Sequence, residues 1–378
     1  MPALARHPAK ILFTIPNFIT AGSGQALLNV VQRLDRRRFA PSICVLKSGG
    51  ALETTILELE VPLLQLPFSV APRPLHVLPA RLWQAAQCFR PYGFDLWHSY
   101  HYSDDYTEPL IARLAGARGW IYTKKNMGWG SRAWRLRTLF ASRIAAQNTA
   151  MLKRFFAQPG NSRKARLLPP GVNTEEFRPA VPATPSLRER LGISQDTTLI
   201  GCVAHLVPVK GHPTLLRALA DVPNAHLVLA GKALDPAYSD QLKVLCEQLS
   251  ITNRVHFLGD VKDIPALNAE LDVFVLPTLG RLRMEGCPVA LLEAMACGLA
   301  CIATDIPGSQ DVIEPGRSGL LVPPEDAELL AAAIRSLAST PDTRKRMGEA
   351  ARARILAHYT IEREVAALEA LYAELLDV

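Results

Sequence analysis

The chain has 378 residues, 49% of them hydrophobic and 20% charged, which supports two ordinary cores and excludes disordered and fibrous classes. Its net charge of +7 is uneven: residues 1–180 hold 24 Lys and Arg against 10 Asp and Glu, and the remainder holds 18 against 25, so a basic front half precedes an acidic rear half. Seven scattered cysteines form no C-x-x-C, which argues for free thiols in a reducing compartment and against a zinc site; no apolar run is long enough to span a bilayer.

In chain order, 10–15 reads as a strand. The apolar stretch 11–20 is short and broken by Pro16 and Asn17, so it is a strand and loop and not a signal peptide. A glycine turn leads into a helix over 21–34, followed by a strand at 41–48, a helix at 79–89, and strands at 95–100 and 119–125. The proline-rich 166–186 reads as a linker. Alternation then restarts, with strands at 198–206, 225–232, 255–260, 272–278 and 300–305 and helices at 212–222, 239–249, 289–298 and 327–339. Such alternation predicts parallel sheets covered by helices. The tail 361–376 carries Val365, Leu368, Leu371, Tyr372 and Leu375 at helical spacing and should pack onto a surface.

The stretch MEGCPVALLEAMACG (284–298) brackets an apolar run with two acids, Glu285 and Glu293. Pro288 suits the first position of a helix, which makes Glu285, Gly286 and Cys287 its entry loop. Free N–H groups at 288–291 and the positive end of the helix would hold a phosphate, with Gly286 allowing close approach. Glu293 lies about a turn and a half further in. Two acids placed so can hold hydroxyls on either side of a diphosphate, the layout of a nucleotide sugar.

E-G-x-P-x-x-x-x-E-A-M-A-x-G resembles the E-x7-E signature of family 4 of the retaining glycosyltransferases. Further resemblance lies in AGSGQALLN (21–29), DLWHSYH (95–101), LPPGVNTEEFRP (168–179), GCVAHLVPVKG (201–211) and IPGSQDVIEPGRSGLLVPPED (306–326), in the family's order. The resemblance implies an α/β GT-B fold: two Rossmann-like doubly wound domains facing across a cleft, with a C-terminal helix returning to the first. It implies an acceptor domain at 1–170, a donor domain at 171–355 and the returning helix at 356–378. Glu285 would contact the donor sugar, Glu293 the ribose and Lys210 the diphosphate. His205, Gly286, Cys287, Pro288 and Val289 would join them, Gly259 and Val261 would lie near the base, and Gly22, Ser23 and Gly24 would face the diphosphate. No metal or cofactor is implied; the nucleotide-sugar, UDP- or GDP-linked, is a substrate.

Three positions depart from the family pattern. His205 stands where Arg is usual and lacks its bidentate fork. Lys124, Lys125 and Asn126 stand where a strand commonly ends in a donor-facing His, and Lys125 either replaces that group or leaves its role elsewhere. Asp311 replaces a frequent Glu. His98 and His101 follow a strand, so that one assists the acceptor hydroxyl or each is structural. The catalytic candidates are thus Glu285, His98, His101 and Lys125. Asp104 and Asp105 read better as solvated loop acids than as a metal pair.

Residues 124–143 hold Lys124, Lys125, Arg132, Arg135, Arg137 and Arg143 with Trp129 and Trp134, a composition suited to an anionic membrane surface; no nucleic-acid-binding module is present. The expectation is a hexosyltransferase in the cytoplasm, peripheral on the inner face of the plasma membrane. It would move sugar from a nucleotide-sugar to a cell-envelope, polysaccharide, lipopolysaccharide or other lipid-linked acceptor. The alternatives are a nucleotide-sugar epimerase of related fold and a non-catalytic donor-binding partner subunit.

Overall fold

A computed structural model describes residues 7–18, 21–50, 52–101, 103–280 and 285–376. Ile19 and Thr20, which end the predicted 11–20 loop, and Met284, which opens the two-acid stretch, lie outside these residues. The chain divides into two compact units, one of residues 1–170 with 361–378 and one of 171–360.

Unit 1 holds β1 (Ala9–Thr14), β2 (Phe39–Val45), β3 (Leu63–Gln65), β4 (Leu96–Ser99), β5 (Gly119–Lys124), β6 (Arg143–Ala146) and β7 (Ala165–Leu167). They form one parallel sheet in the order β3-β2-β1-β4-β5-β6-β7. The order reverses between β1 and β4, the place where doubly wound sheets open a ligand crevice beyond the strands' carboxyl ends. The middle strands are buried along their length even where they turn polar, at His98 and Ser99 in β4 and at Thr123 and Lys124 in β5.

The C-terminal helix Ile361–Leu376 belongs to this unit and buries Val365, Leu368, Leu371 and Tyr372 in its core, with Leu375 partly covered. Polar contacts reinforce it: Arg143 Nη2 lies 2.5 Å from the Glu374 carboxylate, and the Asp35 N–H donates to Glu369 at 2.7 Å.

Unit 2 holds β8 (Thr198–Val203), β9 (Ala225–Ala230), β10 (Val255–Gly259), β11 (Val273–Leu276), β12 (Ala300–Thr304) and β13 (Leu320–Val322), parallel in the order β10-β9-β8-β11-β12-β13. Helices on both faces enclose two apolar cores. Its reversal lies between β8 and β11. The predicted linker 166–186 is not structureless throughout. β7 runs into its start, Val172 N–H donates to Tyr359 O at 2.8 Å, and Ser186 closes it as half of a capping box on helix Leu187–Leu191.

Candidate functional site

In unit 2 the turn Pro208–Lys210 is pressed against the end of β11: Leu279 N–H donates to Val209 O at 2.8 Å. Gly211 makes this approach possible. Its φ is +68°, and an added Cβ would lie 1.9 Å from Pro277 O. The turn presents Lys210, whose Nζ pairs with the Glu285 carboxylate. Glu285 and Lys210, read separately from the sequence as sugar and phosphate ligands, thus hold each other in the unliganded chain. A bound diphosphate would compete for this lysine.

The loop Glu285–Pro288 enters helix Val289–Ala296. The helix begins one residue later than the sequence suggests, with Pro288 as the cap preceding it. Leu291 N–H and Leu292 N–H both donate to Pro288 O and Pro288 itself has no N–H, so of the 288–291 set expected only the amides of Val289 and Ala290 are left at the tip. Gly308, at φ +95°, lets its chain approach within a distance that would put a Cβ 2.7 Å from Gly286 O.

Glu293 has no hydrogen bond or ion pair among the described residues. Burial, with the nearby Glu176 charge, raises its pKa to about 8, so near neutral pH the carboxyl carries a proton and can both donate and accept. An apolar setting and a missing partner are what a ligand hydroxyl would repair. His205, on the loop after β8, is half-buried; burial and then Lys210 lower its pKa, and its Nδ1 is enclosed without a partner. Gly259, at φ +68°, ends β10, and its carbonyl accepts from Gly231 at 2.7 Å and Val261 at 3.1 Å. Val261 packs on the core at the same sheet edge.

In unit 1 several sequence expectations change. Gly22, Ser23 and Gly24 do not form a turn; they lie in the first turn of helix Ala21–Arg33. Gly24 is required by packing, since a Cβ would meet Phe18 and Leu52 at 2.9 Å. His98 is wholly buried. Its Nδ1 lies 2.6 Å from Tyr372 Oη and its Nε2 2.8 Å from Thr123 Oγ1, and burial followed by the Lys125 charge brings its pKa to about 3. With both nitrogens occupied inside the core, His98 is a neutral structural group that pins the C-terminal helix to β4. It is not a catalytic one.

Lys125 is only partly exposed, and its ammonium is enclosed 4.2 Å from the Tyr100 ring centroid with no hydrogen-bond partner, and burial lowers its pKa to about 7. It is turned inward instead of standing in for a donor-facing group. Asp105 accepts from Thr107 and Glu108 N–H, a helix-entry role for which no metal is needed.

His101 differs from His98. It is partly exposed, its Nε2 lies 3.2 Å from Glu108 Oε2, and its ring sits 5.5 Å from that of Phe68. Glu108 was not legible in the sequence. It is completely buried and gathers Ser99 and His101 from nearby in the chain and Thr14 and Arg137 from 94 and 29 residues away.

The basic segment 124–143 is also less basic at its surface than its composition promised. Lys124 is buried and donates to Asn126 Oδ1 at 2.8 Å, with its ammonium 3.7 Å from the Trp129 ring centroid. Arg137 is buried against Glu108, and Arg143 pairs with Glu374. Trp129 and Trp134 stack on each other at 5.0 Å. What remains exposed is Arg132 and Arg135 beside Leu136, Leu139 and Phe140.

The profile of the family described as "Glycosyl transferases group 1" matches residues 184–354, nearly the whole of unit 2. Residues 184–354 thus resemble the group 1 glycosyl transferase domain. A GDP-mannose-dependent alpha-(1-6)-phosphatidylinositol monomannoside mannosyltransferase of Mycolicibacterium smegmatis is 32% identical over 208 residues, 53% of each chain. A lipopolysaccharide core biosynthesis mannosyltransferase, LpsB of Rhizobium meliloti, is 29% identical over 217 residues, 54% of this chain and 60% of the relative. The chain thus spans little more than half the length of the curated relatives it matches.

Among solved structures, a glycosyltransferase from Rickettsia africae ESF-5 superposes with a TM-score of 0.85 at 19% identity, covering 98% of this chain and 99% of that one. Anabaena HepE, in complex with UDP and glucose, gives 0.80 at 20% identity, covering 97% and 99%. These likenesses establish the fold: the two Rossmann-like domains are of the GT-B type.

Proposed function

We propose that this protein is a glycosyl transferase that moves a hexose from a nucleotide-diphosphate-sugar to a hydroxyl of a cell-envelope lipid or polysaccharide acceptor, with retention at the anomeric carbon. The observation that carries the reading is the arrangement in unit 2 of the Lys210–Glu285 pair and the partnerless Glu293 around a helix tip with two open amides. Lys210 would leave Glu285 for the diphosphate, freeing Glu285 for the sugar hydroxyls. The Val289 and Ala290 amides would share the phosphate charge, and the protonated Glu293 would bind the ribose. As the diphosphate departs, the lysine and the helix tip stabilise the charge it gains.

The test is nucleotide release from GDP-mannose and UDP-sugars, with and without envelope extract. GDP-mannose is the first donor to try, because it is the donor named for the mycobacterial relative. Release that requires extract supports transfer; epimerised donor without release, or binding without turnover, overturns it.

The same reading places the protein at the membrane periphery. No helix among the described residues is long and apolar enough to cross a membrane. Helix Trp134–Phe140 exposes Leu136, Leu139 and Phe140 next to Arg132 and Arg135. Two exposed cations contribute about 1 kcal/mol each at an anionic surface, so association should be weak and salt-sensitive. Sedimentation with phosphatidylglycerol vesicles at low and moderate salt checks this; no sedimentation at low salt removes the claim.

A further inference from the structure

At the amino end of the unit 1 sheet, opposite the edge where doubly wound folds take their ligands, lies a cavity of about 280 Å³. It sits between helix Thr107–Ala115, Gly119 at the start of β5 and Ser142 just before β6. Ligand pockets span about 300–1,000 Å³, so this one suits a head group and not a nucleotide sugar. Two of its lining residues are arginines and none is acidic. Arg113 is exposed, and its guanidinium has no hydrogen bond or ion pair among the described residues. Arg118 is exposed, with Nη2 donating to Leu376 O at 3.0 Å. Glu374, which reaches the neighbouring Arg143, pairs with it and with Arg166 and leaves Arg113 unneutralised. Ser142 Oγ accepts from Trp120 N–H at 3.2 Å, so its own hydrogen is left to donate. Trp120, 3% exposed, has an enclosed indole N–H without a partner, and the Arg137 guanidinium 4.6 Å from its ring centroid fixes the indole. Phe140, 38% exposed, forms a further wall and ends helix Trp134–Phe140, so the cavity opens beside the apolar surface of Leu136 and Leu139.

We propose that this cavity seats the phosphate head group of an anionic phospholipid, with Arg113 and Arg118 on the phosphate and the acyl chains along Leu136, Leu139 and Phe140. Charge and apolar surface select the occupant together. A guanidinium offers a phosphate two parallel N–H donors, and a free inorganic ion could accept them as well. The exposed apolar face beside the cavity favours only a ligand that carries hydrocarbon. A choline head group would bring a cation against two arginines and is disfavoured. The inference rests on the membrane-periphery reading above for its source of phosphate, and on nothing in unit 2. Surface cations attract any anionic lipid surface without placing a phosphate; a cavity with arginines and a hydroxyl on its walls gives that phosphate a position.

The test uses 15N-tryptophan-labelled protein and dihexanoylphosphatidylglycerol below its micelle concentration, with the Trp120 indole signal assigned by its loss in Trp120→Phe. Titration should move that signal to saturation. The matching phosphatidylcholine should bind at least about tenfold more weakly, and Arg113→Glu should raise the Kd for the phosphatidylglycerol by about tenfold or more. Arg132→Glu, outside the cavity, should leave that Kd within about twofold. If Trp120→Phe does not fold, calorimetric titration of the wild type and Arg113→Glu with the same two lipids gives the same comparison. A Trp120 signal that the phosphatidylglycerol does not move overturns the seat. So does one moved as far by inorganic phosphate at equal concentration, which would make the cavity a site for free anions. Sedimentation with phosphatidylglycerol vesicles separates this inference from the reading it rests on. Protein that sediments while Trp120 stays unmoved keeps the peripheral reading and loses the seat; a saturable shift in protein that does not sediment does the reverse.

Discussion

At the carboxyl edge of the unit 1 sheet, Glu108 is enclosed and receives bonds from four side chains; at the matching edge of unit 2, Glu293 sits in apolar company and receives none. Burial raises the pKa of both. In Glu108 this is outweighed by His101, Arg137 and Thr14, which bring it to about 2, whereas in Glu293 nothing opposes burial and the value reaches about 8. One carboxylate has been made part of the structure, and the other leaves its bonding capacity unused among the described residues. Lys210 and Glu285 stand between these extremes: they are paired, mostly covered, but still within reach of solvent. A charge that contributes to stability and a charge reserved for a ligand therefore differ in their partners, not in their residue type.

The sharpest way to break this comparison is to remove one member of each pair and measure stability. Arg137→Met leaves Glu108 ionised and enclosed, and should cost about 3–5 kcal/mol in urea unfolding. Adding Glu108→Gln to it should recover a good part, read as a coupling in a double-mutant cycle. Lys210→Ala should cost about 1 kcal/mol or less by the same assay. Equal losses at the two sites would erase the distinction. Activity should reverse the order for Lys210: its alanine variant should lower acceptor-dependent nucleotide release by about 10²–10³-fold, because a charge aimed at the departing diphosphate is gone.

The third prediction concerns Glu293 and pH. Its pKa is raised in the folded state, from an ordinary 4.5 to about 8, so the folded chain holds a proton that the unfolded chain releases. The contribution to stability is complete below about pH 4.5, falls as pH rises through this window, and is lost above about 8. Glu293→Gln keeps the shape and cannot ionise, so it should gain on the wild type as pH increases, reaching a few kcal/mol near pH 8.5. Urea midpoints of both proteins from pH 4.5 to 9 give the difference directly; a flat difference would mean that the carboxyl is already paired or wet.

How much of this was legible depended on distance along the chain. β1 announces itself through its buried Ile11, Leu12 and Phe13. β3, β6, β7 and β13 are three or four residues each, too short to show a period, and they were missed. Glu285 and Glu293 could be nominated as a pair because both lie in one short stretch with Gly and Pro between them. Glu108 was not, because its partners Thr14 and Arg137 are 94 and 29 residues away and only the sheet brings them together. His98 and His101 could not be told apart by spacing: one points to Tyr372, 274 residues later, and the other to a helix that begins six residues on. The surface of 124–143 was overestimated because composition counts a cation wherever its ammonium goes, and Lys124 and Arg137 go inward.

His205 offers the smallest effect and a fine test of the unit 2 edge. Burial, followed by repulsion from Lys210, lowers its pKa below the usual imidazole value, so at pH 7 the ring is neutral and adds nothing to the charge facing a diphosphate. Falling pH should protonate it only below the usual imidazole range, and diphosphate binding should tighten there. Arginine at this position is charged throughout and can bind two oxygens at once. His205→Arg should therefore tighten GDP or UDP binding by about three- to tenfold at pH 7.5, or about 1 kcal/mol, and flatten its dependence between pH 7.5 and 5.5. Calorimetric titration of both proteins at the two pH values measures this. A variant that binds no better at pH 7.5, with a wild type already insensitive to pH, would put the diphosphate out of reach of residue 205, leaving Lys210 and the tip of helix Val289–Ala296 to hold it alone.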